Sequence, residues 1–415
     1  MIIFYLNLII TTIFLLTIIS YYALIIIPER KHKIVKKFNS ITIIIPAHNE
    51  EDYIEKCIKS VMRSEFNGAK QIIVVDDGSI DRTYEIASKF KITVLKSKHS
   101  GKALSINKAL KIANGEVIAI VDADSEIQKD SLKKVVREIE RKNVVAACCP
   151  VRVKNRNKFI CMWLNIEQLY NSLIRRIFKK INANIVTPGP LSVYRKDALM
   201  EIGGFSNKGF SEDIDVAIRL IRKGHKIGFA NDTIADTNMP HTVKGFLRQR
   251  TRFARGMINI LKRHLRLNNT IVDIYTLPLF LFMYFQAVVM SVIMIYNISS
   301  GYYTYFYSKE IFFNLSVLKF FFEWFSIVGF LKYAYNVIIG NISFSFLAIA
   351  SVASTLLTYP LYIYSIFKYN KKITLYEIVP FIFMMPFWLI VMMIYLICIP
   401  ESFKKNQYNI WKKNE

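Results

Sequence analysis

Cysteine is scarce, and it is spaced for no obvious chemistry. Cys57, Cys148, Cys149, Cys161 and Cys398 form no C-x-x-C pair, and no nearby histidine completes a zinc pattern. They read as reduced thiols in a core or a membrane. Acidic residues are also few: 31 Asp and Glu stand against 56 Lys and Arg, for a formal net charge of +25. Nucleic acid could explain that balance, but the chain lacks a nucleic-acid recognition motif. Anionic lipid head groups and phosphate-bearing substrates are the partners left. Internal repeats and low-complexity linkers are absent. Charge is missing altogether from residues 1–27. Without a basic start or a small-residue cleavage site, this stretch does not read as a cleaved secretory signal.

What is present is apolar and unevenly spread. The chain is 53% hydrophobic with a mean hydropathy of +0.28. A bilayer needs about 20 apolar residues as a helix, so residues 1–28 read as a permanent anchor. Arg30, Lys31, Lys33, Lys36 and Lys37 follow, which by the positive-inside rule places the next segment in the cytosol. Over residues 40–240 short apolar runs (41–45, 71–75, 92–95, 117–121, 144–148) alternate with amphipathic ones (51–64, 82–90, 102–113, 131–141). That alternation predicts a mostly parallel sheet covered by helices, with ligands at the carboxyl ends of the strands. Residues 241–270 hold a basic amphipathic stretch. Phe246, Phe253, Met257, Ile260 and Leu261 recur at helical spacing among arginines and lysines, which suits a helix lying in a membrane interface. Membrane-length runs fill 275–400, at 275–298, 311–331, 342–367 and 376–399. With the anchor they give five spans and return the basic tail, 401–415, to the cytosol, leaving Lys371 and Lys372 outside. Lys319 and Glu323, four apart inside the second run, could pair on one helix face.

The strand-end loops carry the candidate chemistry. Asp122 and Asp124, in Asp122-Ala123-Asp124, are two apart where a strand is ending. They form either a hard-oxygen site for Mg²⁺ or Mn²⁺ or a solvated acidic loop. In Asp76-Asp77-Gly78-Ser79 a carboxylate could accept from ribose or a base, and Gly78 permits a tight turn. Ser79 or Asp81 could equally cap the next helix. Ser100-Gly101-Lys102 opens a helix without Walker spacing and suits phosphate oxygens or capping. Glu212-Asp213 starts another helix, as a cap or as a general base. Gln249-Arg250-Thr251-Arg252-Phe253 lies on the basic stretch, where the arginines could meet lipid phosphates or a diphosphate leaving group, with Phe253 an acceptor platform.

In this order the set resembles family 2 glycosyltransferases, in particular the membrane-bound branch of cellulose, chitin, hyaluronan and poly-N-acetylglucosamine synthases. The resemblance runs from about 41 to 256. It includes Pro46-Ala47-His48-Asn49-Glu50, Asp76-Asp77-Gly78-Ser79, Ser100-Gly101-Lys102-Ala103 with Asn107, and Asp122-Ala123-Asp124. It continues through Gly189, Tyr194-Arg195, Gly203-Gly204-Phe205, Glu212-Asp213 and Gln249 to Arg252. It implies an α/β GT-A-like, Rossmann-like cytosolic domain plus an α-helical transmembrane region. It further implies that Ala47, His48, Asn49, Glu50, Asp76 and Asp77 cradle the nucleoside and that Lys102 lies near the nucleotide. Asp122 and Asp124 would hold Mg²⁺ or Mn²⁺, Asp124 the more directly. Asp213, beside Glu212, would be the general base, and Gln249 and Arg252 would match the Gln-x-x-Arg-Trp motif. Phe253 stands where Trp is usual, which keeps the aromatic face and loses the indole N–H.

The implied protein is a plasma-membrane, inverting transferase with a cytosolic catalytic domain. Its donor would be a nucleotide sugar, commonly a uridine diphosphate sugar, and its acceptor a polysaccharide or a lipid-linked glycan. The resemblance leaves a non-processive lipid glycosyltransferase open as well: the ceramide-glucosyltransferase kind also carries the Gln-x-x-Arg signature, whereas polyprenyl-phosphate mannose synthases usually lack it, which counts against that subgroup. A catalytically inactive nucleotide-binding scaffold would have lost the carboxylates.

Overall fold

The fold is described from a computed structural model, in which residues 2–29, 33–266, 268–310, 314–343, 345–370 and 373–403 are described. Arg30 and Lys31 of the basic cluster, Lys371 and Lys372, and most of the 401–415 tail lie outside them.

The first strand shows why the sheet is central. β1, Ser40–Ala47, is apolar at nearly every position, and seven of its eight residues are buried. A run apolar on both faces is what a strand covered on both sides requires. β1 pairs in parallel with β2 (Ala69–Asp76) and with β4 (Val117–Ile120). β3 (Thr93–Lys96) extends the sheet beyond β2, again in parallel. The seven-stranded order is β3-β2-β1-β4-β8-β6-β9, where β6 is Val144–Cys148, β8 is Ser192–Arg195 and β9 is Lys226–Phe229. β8 alone runs antiparallel to its neighbours β4 and β6. A smaller sheet, β5-β10-β7, joins Ser125–Ile127, Ala235–Thr237 and Val151–Val153. Its three-residue strands are too short to carry a readable period.

Helices α2 (Ile54–Arg63), α3 (Thr83–Ser88), α4 (Lys102–Leu110) and α5 (Ser131–Ile139) fall within the expected amphipathic stretches. α2 and α5 turn their apolar faces to the core on one side of the sheet, and α4 covers the other. Two further helices of this part were not anticipated, α6 (Phe159–Lys179) and α7 (Lys196–Glu201). α8 (Glu212–Arg222) and α9 (Val243–His264) complete this part. Thr242 caps α9 by accepting from the Gly245 amide at 3.1 Å.

The remaining helices are strongly apolar. α1 is Ile2–Ile26, and α10 (Leu277–Tyr305) continues from a π-helical turn at Val272–Thr276. α11 (Leu315–Phe325), α12 (Ile327–Ile338), α13 (Phe346–Asn370), α14 (Leu375–Ile382) and α15 (Met384–Ile397) follow. Three helices among the described residues are long and apolar enough to cross a membrane: Phe4–Ile26, Val272–Tyr305 and Phe346–Asn370. The α14–α15 pair, bent by 64°, makes a fourth if it is one crossing. The 311–331 run is not a single helix. It breaks at Ser326 between α11 and α12, whose backbone there is extended. Gly329 sits so close to the Glu323 carbonyl that a Cβ would meet it at 1.7 Å. The break also changes the expected ion pair, since Glu323 meets Lys332 at 2.8 Å instead of Lys319.

Candidate active site

Register places the chemistry. Ala47 pairs with Asp76, and Ile44 with Ile120, so three parallel strands end side by side. The backbone knits their exits together: the Asp77 amide donates to the Ala47 carbonyl at 2.8 Å and the Val121 amide to that of Ile44 at 3.1 Å. A cavity of about 2510 Å³ opens over these ends. Ala47, His48, Asn49, Glu50 and Asp77 line it on one side, and Lys102, Asp122 and Asp124 on its floor. Glu212 and Asp213 come from the start of α8, and Gln249, Arg252 and Phe253 from α9.

Asp76 does not join them. It is fully buried, accepts weakly from the Ser79 amide at 3.3 Å, and forms no part of the cavity wall. Successive side chains at a strand end point to opposite faces, so only one of two adjacent aspartates can face the ligand. Asp77 faces it, but its carboxylate is heavily engaged: Oδ1 accepts from the Ser100 amide at 2.9 Å and Oδ2 from the Gly101 amide at 2.8 Å. Burial would raise its pKa; the hydrogen bonds from Ser100, Ser105 and Gly101 outweigh that and lower it. His48 and His99 stack at 4.1 Å, each with Nδ1 near the Asp77 carbonyl, at 2.9 and 3.0 Å. Gly78 has φ +74, as its turn requires, and a Cβ there would meet the His99 amide at 2.7 Å. Of the two suggested caps, Asp81 takes the Thr83 amide at 3.0 Å, while Ser79 accepts from the Asn49 amide at 2.9 Å.

Lys102 is the hub of the floor. Its Nζ lies 2.6 Å from Asp122 Oδ1 and 3.2 Å from Glu212 Oε1. Burial opposes the ammonium charge, but Asp122 and Glu212 outweigh it and hold the amine protonated. Burial raises the Asp122 pKa against the pull of Lys102. Behind Asp122, Gly189 takes the Asp122 amide on its carbonyl at 2.9 Å. A Cβ on Gly189 would meet Asp122 Oδ2 at 2.1 Å, so any larger residue there forces the Asp122 carboxylate to shift. Asp213 is pushed up to about 6, by burial first and by the negative charge of Glu212 second. A carboxylate tuned in this way, at a helix start and open to a cavity, is suited to taking a proton.

Among the described residues no three His, Cys, Asp or Glu side chains converge on one point as a self-sufficient metal cage. Asp122 and Asp124 instead offer two carboxylates on a cavity wall, and the Lys102 ammonium already occupies a cation position against one of them. Mg²⁺-like ions are often held by one or two carboxylates and completed by substrate phosphates. The donor set fits a divalent ion that arrives with a diphosphate.

Residues 42–203 match the family model described as Glycosyl transferase family 2. The chain carries a glycosyl transferase family 2 domain. Its relatives include a probable glycosyltransferase of Bacillus subtilis, 29% identical over 62% of this chain and 66% of that protein. A poly-beta-1,6-N-acetyl-D-glucosamine synthase of Staphylococcus aureus is 27% identical over 55% of this chain and 57% of that one. The match therefore spans less than two thirds of these relatives' lengths. A mannosyltransferase from Pyrobaculum calidifontis, solved with GDP-Man and Mn²⁺, superposes with a TM-score of 0.59 at 17% identity, over 88% of this chain and 99% of that one. The fold of the family 2 domain is GT-A.

Two supports of the site were not legible in sequence. Asp215, buried, ties α8 to α9 through Arg263 at 2.7 Å and His264 at 2.8 Å, and holds Arg219 at 2.7 Å. Only the Asp215–Arg219 spacing of four could have signalled any of this. Arg250, read as facing phosphates, is buried instead, with Nη1 2.6 Å from Glu167 Oε1 of α6. Its guanidinium lies over the Phe246, Phe253 and Phe387 rings at 5.4 to 5.5 Å. Past Phe253 the cavity continues between the apolar helices, where Trp324, Tyr359, Tyr362, Trp388 and Tyr395 line it.

Proposed function

We propose that the protein is a membrane-bound inverting glycosyltransferase that moves a sugar from a nucleotide sugar, a uridine diphosphate sugar, to a growing polysaccharide or glycan acceptor. The observation that carries this reading is the single cavity, which joins the Lys102–Asp122–Asp213 cluster to an aromatic passage among the apolar helices. Aromatic faces suit sugar rings, and a passage leading into the membrane suits a product that leaves through it. The catalytic part lies in the cytosol and the helices in the plasma membrane, with residues 1–28, 40–240, 241–270, 275–400 and 401–415 as anchor, transferase domain, interface helix, spans and tail.

The chemistry follows from placement. Asp213 takes the proton of the acceptor hydroxyl as its oxygen attacks the anomeric carbon. The bond from that carbon to the diphosphate oxygen breaks, its electron pair leaves with the nucleoside diphosphate, and one displacement inverts the centre. Glu212 keeps Lys102 in place, and Lys102 and Arg252 supply positive charge toward the leaving group. Gln249 and Phe253 position the acceptor, while His48, Asn49, Glu50 and Asp77 border the nucleoside. Mg²⁺ or Mn²⁺, bound by Asp124 and Asp122, would supply further charge neutralisation at the diphosphate.

A non-processive lipid glycosyltransferase is the second reading, favoured by Phe253 in the place of Trp. An inactive scaffold is disfavoured, because Asp122, Asp124 and Asp213 all border one cavity. The test is incorporation of labelled sugar by the solubilised full chain from a panel of nucleotide sugars with Mg²⁺ or Mn²⁺. High-molecular-weight product from one donor is expected. Label only in the organic extract would move the assignment to the lipid reading, and no transfer from any donor would overturn both.

A further inference from the structure

Two arginines are buried among the described residues, Arg175 and Arg250. Arg250 has Glu167. Arg175, on α6 and 7% exposed, has no carboxylate within ion-pair distance among the described residues. Its one hydrogen bond among the described residues runs from Nη2 to Ser172 Oγ at 2.8 Å, and its Nε donates to nothing. An arginine cannot shed its proton to escape burial, so the charge calls for a counter-charge, and among the described residues no carboxylate pairs with it, Asp213 acting only at longer range.

Arg175 borders the catalytic cavity. It ends a polar stripe on α6, with Gln168 and Asn171 facing the same space at helical spacing. The next turn changes character: Phe178 touches Tyr21 of α1 and Tyr275 before α10, with ring centroids 5.7 and 5.8 Å apart. Phe14 of α1 and Met283 of α10 carry this apolar wall onward along the cavity. A buried cation is thus set where a polar stripe meets walls made by membrane-type helices. That combination matches an amphiphile with an anionic head and an apolar tail.

We propose that Arg175 binds a non-reacting phosphate carried by a lipid-borne acceptor, with the lipid tail lying between α1 and α10. The proposal rests on the transferase reading and adds what the acceptor carries, whether one sugar is transferred or many. Planar, two-pronged donation is what makes arginine suited to phosphate.

The test uses the full chain in detergent and three probes: geranylgeranyl phosphate, geranylgeraniol and inorganic phosphate, each read by thermal unfolding and native mass spectrometry. Geranylgeranyl phosphate is expected to bind and raise the unfolding midpoint more than either other probe. Arg175→Met is expected to weaken that binding at least tenfold, and Arg175→Lys to weaken it less. Because Arg175 has no ion-paired carboxylate to strand among the described residues, the ligand-free Arg175→Met chain is expected to unfold no earlier than the parent. Equal binding of geranylgeraniol, equal protection by inorganic phosphate, or unchanged binding by Arg175→Met would each overturn the proposal. A collapse of the ligand-free variant would do so too, by making Arg175 structural. Release of free sugar from the nucleotide donor, measured alongside on the parent chain, separates the two failures. Release without a lipid-phosphate effect sinks only this inference, whereas no release from any donor sinks the transferase reading beneath it.

Discussion

Asp213 is held between opposed influences, with burial and Glu212 disfavouring its charge and Lys102 favouring it. As a base it works only when ionised, so kcat/KM is expected to rise with pH through about 6 in a profile taken on the full chain. The sign for stability is opposite. The folded chain holds this proton more tightly than the unfolded chain does, so the contribution of Asp213 falls as pH rises from 3.8 to about 6. Asp213→Asn is expected to lower kcat by roughly 10²- to 10⁴-fold with nucleotide affinity retained, as steady-state kinetics and calorimetry would show. Near-normal turnover would remove Asp213 from the role. Gly189 makes a sharper test, because it does no chemistry. A Cβ there would strike Asp122 Oδ2, so Gly189→Ala is expected to displace Asp122 from Lys102 and cut transfer by at least tenfold while circular dichroism stays unchanged. The strand-end residues picked out in the sequence border one cavity, because the strand end fixes which side chains meet. It failed at Asp76, because adjacency in sequence hides which of two neighbours turns inward.

At the scale of elements, α9 is the joint. Its Arg250 pairs with Glu167 of α6, and its Arg263 and His264 hold Asp215 of α8. Removing one partner of a buried pair leaves the other charged and stranded. Glu167→Met or Arg250→Met alone is expected to cost about 3–5 kcal/mol of stability. The double replacement is expected to recover most of it, measured as the interaction term of a double-mutant cycle in denaturant. The long elements were legible. β1, β2, β4 and β6 are apolar runs, and α2, α4 and α5 show the helical period, so the parallel core of the sheet follows from pattern. β5, β7 and β10 have three residues each and no period to read. The 311–331 run was apolar enough for a crossing, but composition does not reveal a break at Ser326, which depends on the close approach that Gly329 allows. For the same reason the partners of Arg250 and Glu323 lay outside sequence reach: both are set by tertiary approach, not by spacing.

At the scale of the whole molecule, the proposed function ties transfer to a divalent ion. Chelation is expected to abolish transfer and to weaken nucleotide diphosphate binding, with Mn²⁺ or Mg²⁺ restoring both in a calorimetric titration, because Asp122 and Asp124 form no cage of their own. The fold also has a seam of an unusual kind. One hydrophobic core takes in Tyr21 of α1, Leu169 and Leu173 of α6, Tyr362 of α13 and Phe387 of α15. Where α14 breaks from α15, the freed carbonyl of Phe383 accepts from the Trp163 indole at 2.7 Å. For anyone wishing to express the catalytic part as a water-soluble fragment, a cut after α1 and before α10 would run through a packed interior. It would strip one face of α6 and leave Trp163 without its acceptor. Solubility would have to be restored by redesigning that face, residue by residue, and trimming the chain would not be enough.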